Sequence, residues 1–324
     1  MGNNLLSDIK IKASHKLKII ILPESHDDRV LKAAEVLTQK GIAAIVTVGN
    51  EDKVLNDAAR INIDLSKVKI IDPLRYELFD SFVNTFWEIR KEKGVTKENA
   101  FDLLKKDLFF AAMMTREGLV DASVAGSASS TADVIRAGIQ CIGMSEGISI
   151  VSSFFLMVFP EKSYTFSDCG VVPNPNAEQL ADIAISAADN HKKLTGEPPV
   201  VAMLSFSTKG SAHHELADKV INATEIAKNK RKDLKIDGEL QFDAAIIETI
   251  GKKKAPNSEV AGHANVLIFP DLNSGNIGYK IAQRLGGCEA VGPIIQGLKK
   301  PYFDLSRGCS SDDIVNAAAI AALS

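Results

Sequence analysis

The amino-acid sequence predicts an α/β protein built as two domains with mostly parallel sheets. The chain has 324 residues, which suits two domains or one large α/β unit. Its strand-like runs are apolar throughout rather than alternating, as in strands covered on both faces. Amphipathic stretches of helical period lie between them, so successive strands are joined by crossovers.

Residues 17–22 (LKIIIL) make the first such run, closed by Pro23. Residues 27–40 follow with Val30, Leu31, Ala34 and Leu37 at helical spacing. A second strand at 43–48 ends on Gly49, and further strands fall at 68–71 and 122–125. Long helical patterns at 76–93 and 98–117 separate those two. From about Gly147 the texture changes. The runs 148–159 and 164–168 are separated only by 160–163, too short for a crossover and therefore a hairpin signal. Alternation then resumes through 178–194, 200–206, 215–228, 243–250, 266–270 and 277–285, and the chain closes on an Ala/Ile-rich helix at 311–323. The charged stretch 228–235 reads as a solvated helix end or loop.

Charge and composition narrow the function classes. Lys and Arg total 38 against 41 Asp and Glu, a net charge of -3; a nucleic-acid binder would present a strongly basic balance. Any anionic ligand must be held by a few placed cations. Cys141, Cys169, Cys288 and Cys309 have neither CxxC spacing nor a following His pair, so no zinc site is expected, and such sparse thiols fit a reducing compartment. The N-terminus shows no basic stretch leading into an apolar core, and Leu6 breaks the myristoylation pattern. The most apolar stretch, 148–160, is too short and too rich in serine to span a bilayer. A soluble cytoplasmic protein is expected.

Three junctions carry candidate chemistry. The first is Gly126-Ser127-Ala128-Ser129-Ser130-Thr131, between a strand and the helix predicted over 131–140. Small residues let backbone amides approach a ligand, and a helix N-terminus favours phosphate. Arg136 lies two turns in. Ser130 and Asp133 also match a capping pattern, so an ordinary capped helix after a glycine turn explains the same residues. The second is the stretch DLSRGCSSDD at 304–313. Here Ser310 and Asp313 make another capping pair, while Arg307 stands where open α/β sheets bind ligands; a surface ion pair is its plain alternative. The third, Asp271-Leu272-Asn273-Ser274-Gly275-Asn276, opens a helix carrying Lys280 and Arg284 four apart on one face. Arg90 ends a helical pattern, where a cation complements the helix dipole. His213 and His214 lack an acid or cysteine at ligand spacing, and no GxSxG, P-loop or GxGxxG motif occurs.

Taken together, TADVIRAGIQCIG (131–143), DGELQFDAA (237–245), FPDLNSGNIGYK (269–280) and above all DLSRGCSSDDIV (304–315) resemble the phosphate acetyltransferases, over nearly the whole chain. The resemblance implies two α/β domains around a cleft, similar to the isocitrate and isopropylmalate dehydrogenases. It also implies that the C-terminal helix returns to the first domain, giving domains of 1–146 with 300–324 and of 147–299. The implied reaction is reversible acetyl transfer between acetyl phosphate and coenzyme A, with inorganic phosphate released. Coenzyme A is then a substrate, and neither a bound cofactor nor a metal is needed. The family pattern makes Asp313 the base, with Ser306 and Arg307 stabilising the reacting acyl phosphate. Arg90 and Arg136 resemble its anion-binding arginines, and Arg284 one used for coenzyme A. Ser127, Ser129, Thr131, Asn273 and Lys280 complete the expected substrate contacts. A homodimer is implied as well.

A thiol near pKa 8.5 and a carboxylate near 3.9 are mismatched by about 6 kcal/mol. The transfer therefore needs a desolvated base, a cation stabilising thiolate and oxyanion, or both. An Arg307 paired tightly with Asp313 would make the carboxylate a poorer base, so Arg307 is expected to face the acyl phosphate instead. Three alternatives remain: a catalytically silent regulatory module, a phosphate butyryltransferase, and a metal- and NAD-dependent decarboxylating dehydrogenase of the same fold. The last lacks an evident acidic ligand helix, because the spacing Asp233–Asp237 runs straight into Gly238.

Overall fold

A computed structural model describes residues 4–324 and divides them into two compact units, Leu6–Gly143 with Leu298–Ser324, and Met144–Gly297 with residues 4–5. Among the described residues no helix is long and apolar enough to cross a membrane.

The first unit runs α1 (Leu5–Ser14), β1 (Ile19–Leu22), α2 (Asp28–Gln39), β2 (Ala44–Val48), α3 (Glu51–Arg60) and β3 (Val68–Ile71). It continues with α4 (Phe79–Arg90), α5 (Lys97–Leu104), α6 (Asp107–Arg116), β4 (Ala122–Ala125) and α7 (Thr131–Ala137). The span 98–117, expected as one helix, is therefore two, and 131–140 is a short α-helix followed by a wider turn at Gly138–Ile142.

The second unit holds β5 (Ser152–Val158), β6 (Ser163–Ser167), α8 (Ala177–Thr195), β7 (Val200–Leu204), α9 (Glu215–Lys230) and β8 (Lys235–Leu240). After these come α10 (Phe242–Ile246), α11 (Glu248–Lys254), β9 (Val266–Ile268), α12 (Leu272–Arg284) and β10 (Glu289–Gln296). The chain then re-enters the first unit as β11 (Tyr302–Asp304) and α13 (Ser311–Leu323).

The first sheet has the order β11-β4-β1-β2-β3 and is parallel at every pairing. Ile20, Ile21 and Leu22 of β1 and all four residues of β4 are buried, as central parallel strands require. The returning α13 packs on α2, β1, β4 and β11, and its apolar run from Ile314 to Leu323 is buried along its whole length.

The second sheet has the order β10-β5-β6-β9-β7-β8. β10/β5 and β5/β6 are antiparallel, and the other three pairings are parallel. The hairpin expected between 148–159 and 164–168 is the β5/β6 pair. Alternate residues of each strand feed two cores: Val201 and Met203 pack with Leu180, Ala184 and Val220 of α8 and α9. Ala202 and Leu204 pack with Phe155, Phe166 and Phe269.

Candidate active site

Parallel strands end together, and the loops leaving their C-terminal edge are where an open α/β sheet gathers ligand groups. In the first sheet β4 and β11 are neighbours, with Asp304 opposite Ala125. The loops 126–131 and 305–310 therefore leave the sheet side by side, and the turn after β1 adjoins them.

The first loop is not empty. The carboxylate of Glu24, only 2% exposed, accepts hydrogen bonds from the Gly126 and Ser127 amides (2.7 and 2.8 Å) and the Ser127 hydroxyl (3.0 Å) through Oε2. Its Oε1 accepts from the Ala128 and Ser129 amides (3.1 and 2.7 Å). The amides expected to cradle a ligand phosphate are thus spent on the chain's own carboxylate, and Ser127 is buried with it. The Ser127 hydroxyl, expected among the substrate contacts, here faces Glu24. Gly126 sets this geometry: its φ of +103° is a left-handed conformation, and a Cβ there would sit 2.3 Å from Asp304 Oδ1 and 2.7 Å from the Leu305 amide nitrogen. Ser130 caps α7 by accepting from the Asp133 amide (3.2 Å). Ser129 and Thr131 stay partly exposed, leaving both side chains within reach of a ligand.

The second loop is clamped from below. Arg29 forms a forked pair with Asp27 (2.6 Å for Nη2 to Oδ2). Its Nη1 donates to the carbonyls of Arg307 (2.8 Å) and Cys309 (2.7 Å), and its Nη2 to that of Ser127 (2.7 Å). One guanidinium so ties both loops to the start of α2, in the planar multi-donor manner that lysine cannot reproduce. Above the clamp Ser306 and Arg307 are exposed. The Ser306 Oγ accepts from the Gly308 amide (3.3 Å).

Asp313 occupies the third position of α13 in a reciprocal capping box. Ser310 Oγ accepts from the Asp313 amide (3.2 Å), and Asp313 Oδ2 accepts from the Ser310 amide (2.8 Å) and hydroxyl (2.9 Å). The capping pattern read from the sequence is therefore formed, and the Asp313 side chain is exposed rather than desolvated. Among the described residues no ion pair joins Arg307 to Asp313.

Cys309, in the same motif, is buried, and burial pushes its thiol up to about 11, with Arg29 pulling the other way. A thiol so far above neutrality makes a poor nucleophile.

Asp304 is the residue that local sequence reading missed. It is 2% exposed, and neither carboxyl oxygen has a hydrogen-bond partner. Burial pushes its carboxyl up to about 7; the nearby Thr131 hydroxyl and Leu305 amide pull it down without completing a hydrogen bond, and Glu24 adds to the rise. Glu24 stands in no pattern that announces a site, because its partners lie a hundred residues away, and Asp304 opens the 304–313 motif without a residue type or spacing that marks its burial.

The remaining candidates stand on other parts of the chain. Arg136 pairs with Asp133 (2.7 Å) on the exposed side of α7 and lines a cavity of about 400 Å³ with Lys106, Asn99 and Gln140. Arg90 ends α4 partly buried, and its Nε is enclosed without a partner. In the second unit Asn273, Lys280 and Arg284 all lie on α12 and are exposed. Lys280 Nζ donates to Asn276 Oδ1 (2.8 Å), and no ion pair engages Arg284 among the described residues. Asp271 caps this helix by accepting from the Ser274 amide (2.9 Å). No group of three or more His, Cys, Asp or Glu side chains is arranged to hold a metal among the described residues.

The model of the family described as "Phosphate acetyl/butaryl transferase" matches residues 4–322. A phosphate acetyltransferase from Thermoanaerobacterium thermosaccharolyticum is 50% identical over 99% of each chain. The EutD phosphotransacetylase from Staphylococcus aureus superposes with a TM-score of 0.93 at 43% identity, covering 99% of this chain and 98% of that one. A putative 4-hydroxythreonine-4-phosphate dehydrogenase from Salmonella typhimurium shares the fold at a TM-score of 0.60 and 11% identity, covering 94% and 98%. The dehydrogenase-like α/β fold expected from the sequence is the one observed, and the chain belongs to the phosphate acetyl/butaryl transferase family.

Proposed function

We propose that this protein is a phosphate acetyltransferase that moves an acetyl group between acetyl phosphate and coenzyme A. The observation that carries the reading is the 305–313 segment. Ser306 and an Arg307 free of carboxylates stand exposed on a loop fixed by Arg29, with Asp313 at the start of the following helix.

In the forward direction the coenzyme A thiol loses its proton and the thiolate sulfur attacks the acetyl carbonyl. The tetrahedral oxyanion collapses, the C–O bond to phosphate breaks, and inorganic phosphate leaves. Asp313 takes the proton. Its exposure removes desolvation as the means of readying it, so the positive charge of Arg307, favouring thiolate, oxyanion and departing phosphate, supplies more of the stabilisation. Ser306 adds a hydroxyl donor. Coenzyme A is a substrate here. Arg90, Arg136, Ser129 and Thr131 serve the phosphate side, and Asn273, Lys280 and Arg284 the coenzyme side.

The test is steady-state kinetics in both directions. Arg307→Ala should lower kcat/KM for acetyl phosphate by two to three powers of ten, on the order of 3–4 kcal/mol as for loss of one oxyanion donor, and Arg307→Lys should restore only part. Asp313→Asn should lower kcat far more than it changes KM. Wild-type rates in these variants would return both residues to loop structure. Acetyl is favoured over butyryl because the 50% identical relative is named for acetyl transfer. A strong preference for butyryl phosphate at equal concentration would reverse that choice.

We also infer a homodimer, which the apolar residues on and just after α12 support. Ile277, Ile281 and Leu285 are 57%, 54% and 84% exposed, and their four-residue spacing makes one apolar stripe that a second copy would cover. Ile281→Glu combined with Leu285→Lys should give monomers in sedimentation; a monomeric wild type would end the idea. Four free cysteines fit residence in the reducing cytoplasm.

A further inference from the structure

We propose that Asp304 is a positioning residue for acyl transfer: it lies as a neutral acid beneath the 126–131 loop, and its ionisation weakens acyl phosphate binding. This rests on the assignment of Ser306, Arg307 and Thr131 to the acyl phosphate.

Three observations carry it. First, Asp304 is buried to 2% exposure with both oxygens unpartnered, a setting in which an ionised carboxylate is strongly disfavoured. Second, it abuts the same glycine as Glu24: Gly126 donates its amide to Glu24 and has no room for a Cβ because Asp304 Oδ1 is there. All five contacts to Glu24 are donors, so Glu24 is the partner that carries the negative charge, and a second charge beside it is opposed. Third, Asp304 is joined directly to the reacting segment through Leu305 and Ser306, and it approaches the Thr131 hydroxyl at the start of α7.

The other groups bearing on Asp304 are few. Tyr302 contributes its phenol from the same strand, held as a neutral hydroxyl by burial. The buried residues of α7 and of α13, which both pack against β11, include no titratable side chain. Of the two cations of this corner, Arg29 is committed to Asp27 and Arg307 is exposed to solvent on the 305–310 loop. While Asp304 is neutral, the floor under the loop holds one negative charge. When its proton leaves, it holds two, directly under the place where an acyl phosphate is to be bound.

The experiment measures KM and kcat for acetyl phosphate from about pH 6 to about pH 9 in the full-length wild type and in Asp304→Asn. Acetyl phosphate is preferred to inorganic phosphate because its own ionisation is complete at the acid end of this range. The wild-type KM should rise several-fold with pH while kcat changes little, and the isosteric, permanently neutral variant should hold the low-pH KM throughout. Parallel profiles in the two proteins would overturn the proposal. Arg307→Ala, assayed alongside, separates the two readings. If it is inactive and the Asp304 profiles are parallel, only the role of Asp304 is lost. If it is fully active, the site assignment itself falls. Should Asp304→Asn fail to fold, the infrared carbonyl band of a protonated carboxyl in the wild type decides the matter. A band present at neutral pH that fades on raising pH, and that persists in Asp107→Asn, supports the proposal, and its absence overturns it.

Discussion

At the scale of single residues, the most ligand-like loop in the sequence turns out to hold an internal anion. The small residues of Gly126–Ser127–Ala128–Ser129 and the helix start after them do build a nest for negative charge. What the sequence could not reveal is which anion fills it, since Glu24 follows a strand a hundred residues earlier and looks like any turn acid. Arg307 and Asp313 were legible because several residues of one short motif reinforce each other. Glu24 and Arg29 were not, because each acts through partners distant along the chain, and the burial of Asp304, inside that same motif, is imposed by the fold rather than by its neighbours in sequence. The nest makes a firm prediction. Glu24→Gln keeps the shape but turns an amide group toward converging donors, leaving buried N–H groups short of an acceptor. The cost should be on the order of 2–4 kcal/mol, read as a lower midpoint in urea unfolding. A midpoint equal to wild type would mean that the loop does not depend on this carboxylate.

At the scale of elements, the parallel strands of the first sheet were readable because they are continuous apolar runs, and β3 and β4 begin and end where the sequence placed them. The misreadings have specific causes. Residues 98–117 keep an apolar period through Lys105 and Lys106, so nothing local marks the break between α5 and α6; the fold imposes it, burying every residue of α6 from Phe109 to Thr115. β8 was hidden by its acids. Lys235–Leu240 reads as polar, yet Asp237 is bridged by Lys209 (2.6 Å) and Lys228 (3.0 Å), and Glu239 accepts from the Ser207 hydroxyl and the Gly210 amide (2.8 Å each). Paired acids behave as strand residues once the partners arrive from other elements. The stretch 243–250, one element in the sequence reading, is divided between α10 and α11. β10 escaped notice because its Gly292-Pro293 step signals a break, and the ladder to β5 does shift register between Val291 and Ile294.

At the scale of the whole molecule, the buried carboxyl of Asp304 ties stability to pH in a direction opposite to that of a salt-bridged acid. Its folded value of about 7 lies above the 3.8 of an exposed aspartate. Between these two values the folded chain holds a proton that the unfolded chain has released, so stability is fully present below about pH 4 and is lost as pH rises toward 7, then levels off. Roughly three units at 1.4 kcal/mol each bound the effect at about 4 kcal/mol. Asp107, pushed up to about 6 chiefly by burial, works in the same direction. His191 works in the other: burial lowers its imidazole to about 4, so its contribution is lost as pH falls from about 6.5, where the unfolded chain gains a proton that the folded one refuses. The wild-type curve is a sum of such terms, but the difference between wild type and Asp304→Asn isolates one of them. Relative to wild type, the variant should gain stability steadily from about pH 4 to about pH 7 and keep a constant advantage above that. Thermal unfolding across this range measures it, with each kcal/mol worth about 2–4 °C in a unit of this size. A difference in Tm that stays flat with pH would show that Asp304 ionises as freely in the folded protein as in the unfolded chain.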